Sequence, residues 1–78
     1  MPRIEIRVPD LGMDTEGIVF GEWLIEPGEK IAAGDDLFEV EADKATVVCE
    51  AEASGVLAEL VVREGEVKTG DLLGYLDA

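Results

Sequence analysis

The sequence predicts an all-β domain, an antiparallel sandwich or barrel. No stretch carries apolar residues at helical spacing for more than two turns without a Gly or Pro. Short runs with a period of two recur instead, and turn residues interrupt them about every 8–12 positions, as in all-β domains. With 78 residues, 47% of them hydrophobic, the chain is long enough for one small domain with its own core.

Eight strands follow from this pattern. Six are alternating or apolar runs, and two are dipeptides that lie between neighbouring turns. Each turn contains Gly, Pro, Asp or Ser, which tolerate turn dihedral angles. The predicted strands are Arg3–Val8, Ile18–Leu24, Lys30–Ile31, Leu37–Ala42, Ala45–Ala51, Gly55–Val61, Glu66–Val67 and Leu72–Leu76. The predicted turns include Asp10-Leu11-Gly12, Glu26-Pro27-Gly28-Glu29, Ala33-Gly34-Asp35-Asp36, Asp43-Lys44, Arg63-Glu64-Gly65 and Thr69-Gly70-Asp71.

An internal repeat divides the chain into two similar halves. Gly17-Ile18-Val19 and Gly34-Asp35 in the first half match Gly55-Val56-Leu57 and Gly70-Asp71 in the second. Two similar halves predict pseudo-two-fold symmetry in which each half completes the core of the other. In each Gly-Asp pair, we expect a positive φ at Gly and an Asp side chain that bonds the backbone two residues further on.

The strands on either side of Asp43-Lys44 can be assigned face by face. Because side chains alternate along a strand, Phe38, Val40 and Ala42 are predicted to face the core, opposite to Glu39 and Glu41. In the next strand, Ala45, Val47, Cys49 and Ala51 share one face in the same way. Cys49 is therefore predicted to be a small core residue, and it has no adjacent basic residue to activate its thiol.

Charge and composition exclude several classes of function. A net charge of −13 argues against nucleic acid and against an anionic membrane surface, and it favours basic protein partners. No apolar run approaches the ~18 residues of a membrane span. A single Cys precludes an internal disulfide, and the first residues already alternate as in a strand rather than forming a signal peptide. We expect a cytoplasmic protein, or a mitochondrial matrix domain if the sequence is an excised piece of a eukaryotic protein.

The residues give little support to an enzyme and draw attention to one lysine. The chain has no His, and the Asp35-Asp36 pair lacks the spacing of a calcium loop. Of the three lysines, Lys30 and Lys68 lie beside the repeated turns, whereas Lys44 stands alone between two strands with small Ala residues at positions 42 and 45. From the residues alone, Lys44 is either an attachment point or an ordinary charged turn residue.

The chain resembles the lipoyl domains of 2-oxo acid dehydrogenase complexes. The resemblance extends over most of the sequence and is strongest at Asp43-Lys44-Ala45-Thr46-Val47. The other matching residues are Pro9-Asp10-Leu11-Gly12, Gly17, Trp23-Leu24, Gly28-Glu29, Gly34-Asp35, Leu37, Glu39-Val40-Glu41, Gly55, Gly65 and Gly70. The chain departs from the family at Ala42, where Thr is common, and in lacking a Pro before Gly55.

The resemblance implies a non-catalytic carrier, a single domain covering residues 1–78. It implies a flattened barrel of two four-stranded antiparallel sheets with lipoate joined by an amide to Lys44 at a β-turn. Asp43, Ala45 and Glu41 are then expected to form the turn and its surface for the modifying enzyme. The implied partners are a lipoate ligase or lipoyl transferase, a thiamine-diphosphate-dependent decarboxylase/dehydrogenase, an acyltransferase catalytic domain and a dihydrolipoamide dehydrogenase.

Two alternatives to a lipoyl carrier remain at this stage. Biotin carrier domains share the expected fold, but their lysine lies between two methionines, whereas here Asp43 and Ala45 flank Lys44. An unmodified barrel-sandwich module used in assembly would have the same fold and no cargo.

Overall fold

The computed structural model describes residues 3–10, 17–42 and 45–78, and it forms an antiparallel sandwich of two sheets. The eight strands each begin and end within one residue of the sequence prediction. They are β1 (Arg3–Arg7), β2 (Val19–Trp23), β3 (Lys30–Ile31), β4 (Asp36–Ala42), β5 (Ala45–Glu50), β6 (Gly55–Leu60), β7 (Gly65–Glu66) and β8 (Leu72–Asp77). The predicted turn at Leu11 and Gly12 lies outside the described residues. The described part of the chain contains no helix of the length and hydropathy that crossing a membrane requires.

The two sheets have the same construction, which confirms the predicted pseudo-two-fold symmetry. One sheet has the strand order β1-β8-β6-β3 and the other has the order β5-β4-β2-β7. The short strand β3 of the first half pairs with β6 of the second, and β7 of the second half pairs with β2 of the first. Each sheet therefore has two central strands from one half of the chain and two edge strands from the other half.

A bulge occurs at the same position in both sheets. The pairing of β4 with β5 shifts between Asp36 and Phe38, and the pairing of β1 with β8 shifts opposite Leu73. A bulge places two consecutive side chains on nearly the same side of a strand. Leu37 and Phe38 are consequently both buried, at 2% exposure each, and Leu73 is buried completely.

The two Gly-Asp turns also match. Gly34 and Gly70 have φ values of 93° and 89°, as predicted. The Ala32 N–H donates to Asp35 Oδ2 at 3.2 Å, and the Lys68 N–H donates to Asp71 Oδ2 at 2.8 Å. The predicted partner two residues further on was wrong. Each Asp N–H bonds the carbonyl of the residue three positions earlier, which brings the Asp carboxylate beside that residue's own N–H.

Trp23 connects the two halves of the core. It packs with Phe20 and Phe38, with ring centroids 5.4 Å and 5.6 Å away. Its Nε1–H donates to the Val62 carbonyl oxygen at 2.8 Å. The indole also covers Gly74, because a Cβ at that position would lie 3.3 Å from its ring and 2.5 Å from the Glu59 carbonyl oxygen.

Replacing Gly74 by Ala should destabilise the domain by about 1–3 kcal/mol, since the added methyl group overlaps backbone as well as Trp23. Gly21→Ala is the matched control, because its Cβ would lie 3.0 Å from the carbonyl oxygen of Glu39. The smaller overlap should make that change the milder of the two. Urea unfolding curves measure the free energy of unfolding of both variants. An equal or greater loss of stability for Gly21→Ala would contradict the expectation that the overlap at Gly74 is the more costly one.

Candidate functional site

The strands β4 and β5 lead directly to the candidate site. They pair from Asp36↔Glu50 to Ala42↔Ala45, which is the last pair before the hairpin connection. In the sequence only Asp43 and Lys44 separate the two alanines. These two predicted site residues lie outside the described part of the chain, so the site is defined by the residues that flank them.

The strand that enters the site is fixed in the core. Phe38, Val40 and Ala42 are all buried, with exposures of 2%, 0% and 2%, which confirms the predicted face. Burial continues to Ala42, the residue immediately before Asp43. The path of β4 is thus held by core packing up to the connection.

The strand that leaves the site becomes buried only gradually. Ala45 is exposed, Val47 is half-buried, and Cys49 and Ala51 are buried. The chain therefore enters Asp43-Lys44 from a buried residue and leaves it at an exposed one. Ala42 and Ala45 carry only methyl side chains, so the immediate sequence neighbours of the dipeptide fit a group attached covalently to the Lys44 amine.

The structure places Glu41 and Ala45 on different faces of the hairpin. Glu41 is exposed on the outer face, where it lies opposite Thr46 in β5 and opposite Val19 in β2. Ala45 lies opposite Ala42, whose side chain points to the core. Thr46 rather than Ala45 is therefore the β5 neighbour of Glu41, a relation that the sequence alone does not give because it depends on register.

The other two lysines belong to regular parts of the fold. Lys30 is exposed in β3 and lies opposite Val56 in β6. Lys68 is exposed, and its backbone N–H belongs to the Asp71 turn. Within residues 3–10, 17–42 and 45–78, no three Cys, Asp or Glu side chains come together as a group that could hold a metal ion.

Cys49 is buried at 6% exposure, as predicted. Burial raises the pKa of its thiol, because the thiolate would lose solvation in the core. The neutral thiol is therefore the stable form, and Cys49 acts as a packing residue.

Comparisons with known proteins agree with this geometry. A family model described as "Biotin-requiring enzyme", of the biotin/lipoyl type, matches residues 4–76. In the solution structure of the lipoyl domain of the 2-oxoglutarate dehydrogenase complex from Azotobacter vinelandii, 96% of each chain aligns, with 34% identity and a TM-score of 0.73.

Longer proteins contain a similar segment. The succinyltransferase component of the 2-oxoglutarate dehydrogenase complex from Bartonella vinsonii is 39% identical over 75 residues, which cover 95% of this chain and 18% of the relative. An acetyltransferase component of the mitochondrial pyruvate dehydrogenase complex from Arabidopsis thaliana is 43% identical over 75 residues, covering 92% of this chain and 14% of the relative. The chain thus spans less than a fifth of the length of these curated relatives.

The burial of Cys49 predicts slow alkylation. In native protein at pH 8, iodoacetamide should modify Cys49 on the order of tenfold or more slowly than in urea-unfolded protein, because the thiol is inaccessible and its pKa is raised. The control is a Cys49→Ala, Thr46→Cys variant, in which the exposed thiol on the same strand should react rapidly without urea. Mass spectrometry follows both reactions, and equal native rates would show that Cys49 is not protected.

Proposed function

The chain belongs to the biotin/lipoyl domain family, and we propose that residues 1–78 act as one carrier domain with lipoate joined to Lys44 through an amide. The observation that carries the proposal is the Ala42↔Ala45 pair, which brings the core-anchored end of β4 and the start of β5 together on either side of Asp43-Lys44. Family membership also confirms the expectation that this domain is a carrier module and not itself a catalyst.

The role of the protein is to hold one amine at a defined place. When bound, lipoate supplies a cyclic disulfide that accepts an acyl group together with two electrons. The buried side of β4 fixes the strand up to Ala42, and Ala42 and Ala45 add only methyl groups on either side of Asp43-Lys44 in the sequence. Amide formation also removes the positive charge of Lys44.

The names of the relatives indicate the surroundings in which such a carrier works. They are acyltransferase components of 2-oxo acid dehydrogenase complexes. We accordingly propose four partners: a ligase or lipoyl transferase, a thiamine-diphosphate-dependent component, an acyltransferase domain, and dihydrolipoamide dehydrogenase. The domain would work in the cytoplasm or the mitochondrial matrix, and tethering to its partners would raise their effective concentration. Biotin is not favoured as cargo, since Asp43 and Ala45 replace the methionines that flank a biotinyl lysine.

Loading of Lys44 can be tested by mass. Incubation with a lipoate ligase, ATP and lipoate should add one lipoyl group to the unaltered chain, and Lys44→Arg should abolish the addition because guanidinium is not a nucleophile for this reaction. Lys30→Arg and Lys68→Arg are the matched controls and should load normally. Intact-mass spectrometry reads all four proteins, and a lipoyl increment on Lys44→Arg would refute the assignment.

Position within the hairpin should matter as well as the amine itself. In a Lys44→Ala, Ala45→Lys variant, the lysine would start from β5, where its direction is set by pairing with Ala42. We expect its loading rate to fall by at least about tenfold, since proper orientation is a large part of catalysis. Initial rates measured by mass test this, and an unchanged rate would mean that the ligase requires only an accessible amine.

A further inference from the structure

The two sheets differ sharply in charge although they share one architecture. The strands β5, β4, β2 and β7 contain six acidic residues and no Lys or Arg: Glu22, Asp36, Glu39, Glu41, Glu50 and Glu66. The strands of the other sheet contain three acidic and three basic residues: Glu5, Glu59 and Asp77 with Arg3, Arg7 and Lys30. The six acids, together with Val19, Thr46 and Val48 between them, form what we call the acidic face.

The acidic face places like charges opposite each other. Glu22 in β2 lies opposite Glu39 in β4, and Asp36 lies opposite Glu50 in β5. Like charges at directly paired positions destabilise a sheet. Electrostatics within the fold therefore opposes this arrangement.

The equivalent positions of the other sheet avoid such repulsion. Glu59 follows the bulge in β6 as Glu22 follows the bulge in β2, but Glu59 lies opposite Tyr75. Its carboxylate also pairs with Arg3 at 3.4 Å. The ion pairs found among the described residues join Arg3 to Glu59, Arg3 to Asp77 and Arg7 to Glu5, all on this sheet. The shared architecture accommodates a balanced surface, so the fold does not require the acidic one.

Two features of the acidic face indicate what would cover it. Val19 and Val48 are exposed at 37% and 43% among the carboxylates, so the face offers apolar contact inside a negative field. Two of its strands, β4 and β5, also run directly to Asp43-Lys44. In the sequence, Lys44 is the one basic residue between Lys30 and Arg63.

We propose that the acidic face is the docking surface for the ATP-dependent ligase that loads Lys44. This inference rests on the function proposed above. A ligase that uses ATP must bind a polyphosphate, for which Lys, Arg and bound cations are the usual partners, so we expect a positive entrance to its active site. The complementary partner is a basic rim around an apolar patch that contacts Val19 and Val48. Carboxylates on the approach to Lys44 steer the domain to that entrance and orient it there.

The test compares two double variants of the full chain that change net charge equally. Glu22→Gln with Glu50→Gln removes one member of each like-charged pair on the acidic face. Glu5→Gln with Glu59→Gln removes two exposed acids from the other sheet. Loading by a lipoate ligase with ATP and lipoate is followed by intact mass at low salt and at ~0.2 M NaCl.

The acidic-face variant should lose about tenfold in kcat/KM at low salt with little change in kcat, because steering acts on encounter. The control variant should stay within about twofold of the unaltered chain. Added salt should slow the unaltered chain toward the rate of the acidic-face variant. Equal rates for the two variants, or a rate insensitive to salt, would overturn the docking proposal.

Thermal unfolding separates docking from folding. The acidic-face variant should melt at the same temperature as the unaltered chain or higher, since repulsion is relieved. The control should melt at the same temperature or slightly lower, since it loses the Arg3–Glu59 and Arg7–Glu5 pairs. If the unaltered chain is loaded and both variants load equally, only the docking proposal fails. If the unaltered chain is not loaded, both proposals fail.

Discussion

The exchange of the short strands between the two halves is the interaction on which the rest of the domain depends. The Val67 N–H donates to the Ile18 carbonyl at 2.9 Å, and the Gly28 N–H donates to the Leu57 carbonyl at 2.7 Å. Each bond joins a segment of one half to the sheet of the other. Because neither half completes a sheet alone, the core forms only when both halves fold together, and a chain of this size has little other stability to draw on.

The same pseudo-symmetry relates the candidate site to a second pair of strand ends. The end of β4–β5 corresponds, under the pseudo-symmetry, to the place where β1 begins and β8 ends, at the pair Arg3↔Asp77. In the sequence, Asp43 and Lys44 separate β4 from β5, whereas β1 and β8 are the first and last strands of the domain.

The sequence predicts the strands well because alternation and turn residues are local properties. It predicts the inner face of β4 for the same reason. It does not predict that Leu37 and Phe38 are both buried, since that depends on a bulge formed with the partner strand. It also misses the contact of Trp23 with Gly74, which lies far away in sequence.

The sequence likewise predicts only part of the candidate site. Lys44 is predicted from its motif and its isolation between two strands, and that assignment stays a prediction. The position of Thr46 beside Glu41 cannot be predicted in this way, because cross-strand neighbours follow from register. The same holds for Glu22 opposite Glu39, which in the sequence are simply two of many acids.

The repeated halves allow one part of the molecule to serve as a reference for the other. Features present in both halves, such as the Gly-Asp turns and the bulges at Leu37 and Leu73, are those that the architecture itself requires. A feature present in one half is either compensated by packing or left without a structural explanation. The large side chain of Trp23 is accommodated by packing, because Gly74 has no side chain and leaves room for the indole.

The acidic face has no such compensation among the described residues. Glu22 lies opposite Glu39 where the other sheet places Glu59 opposite Tyr75, and Asp36 lies opposite Glu50 where the other sheet places Leu72 opposite Arg7. A cost that the fold does not require, borne by the strands that lead to Asp43-Lys44, is what selection for an external basic partner would produce.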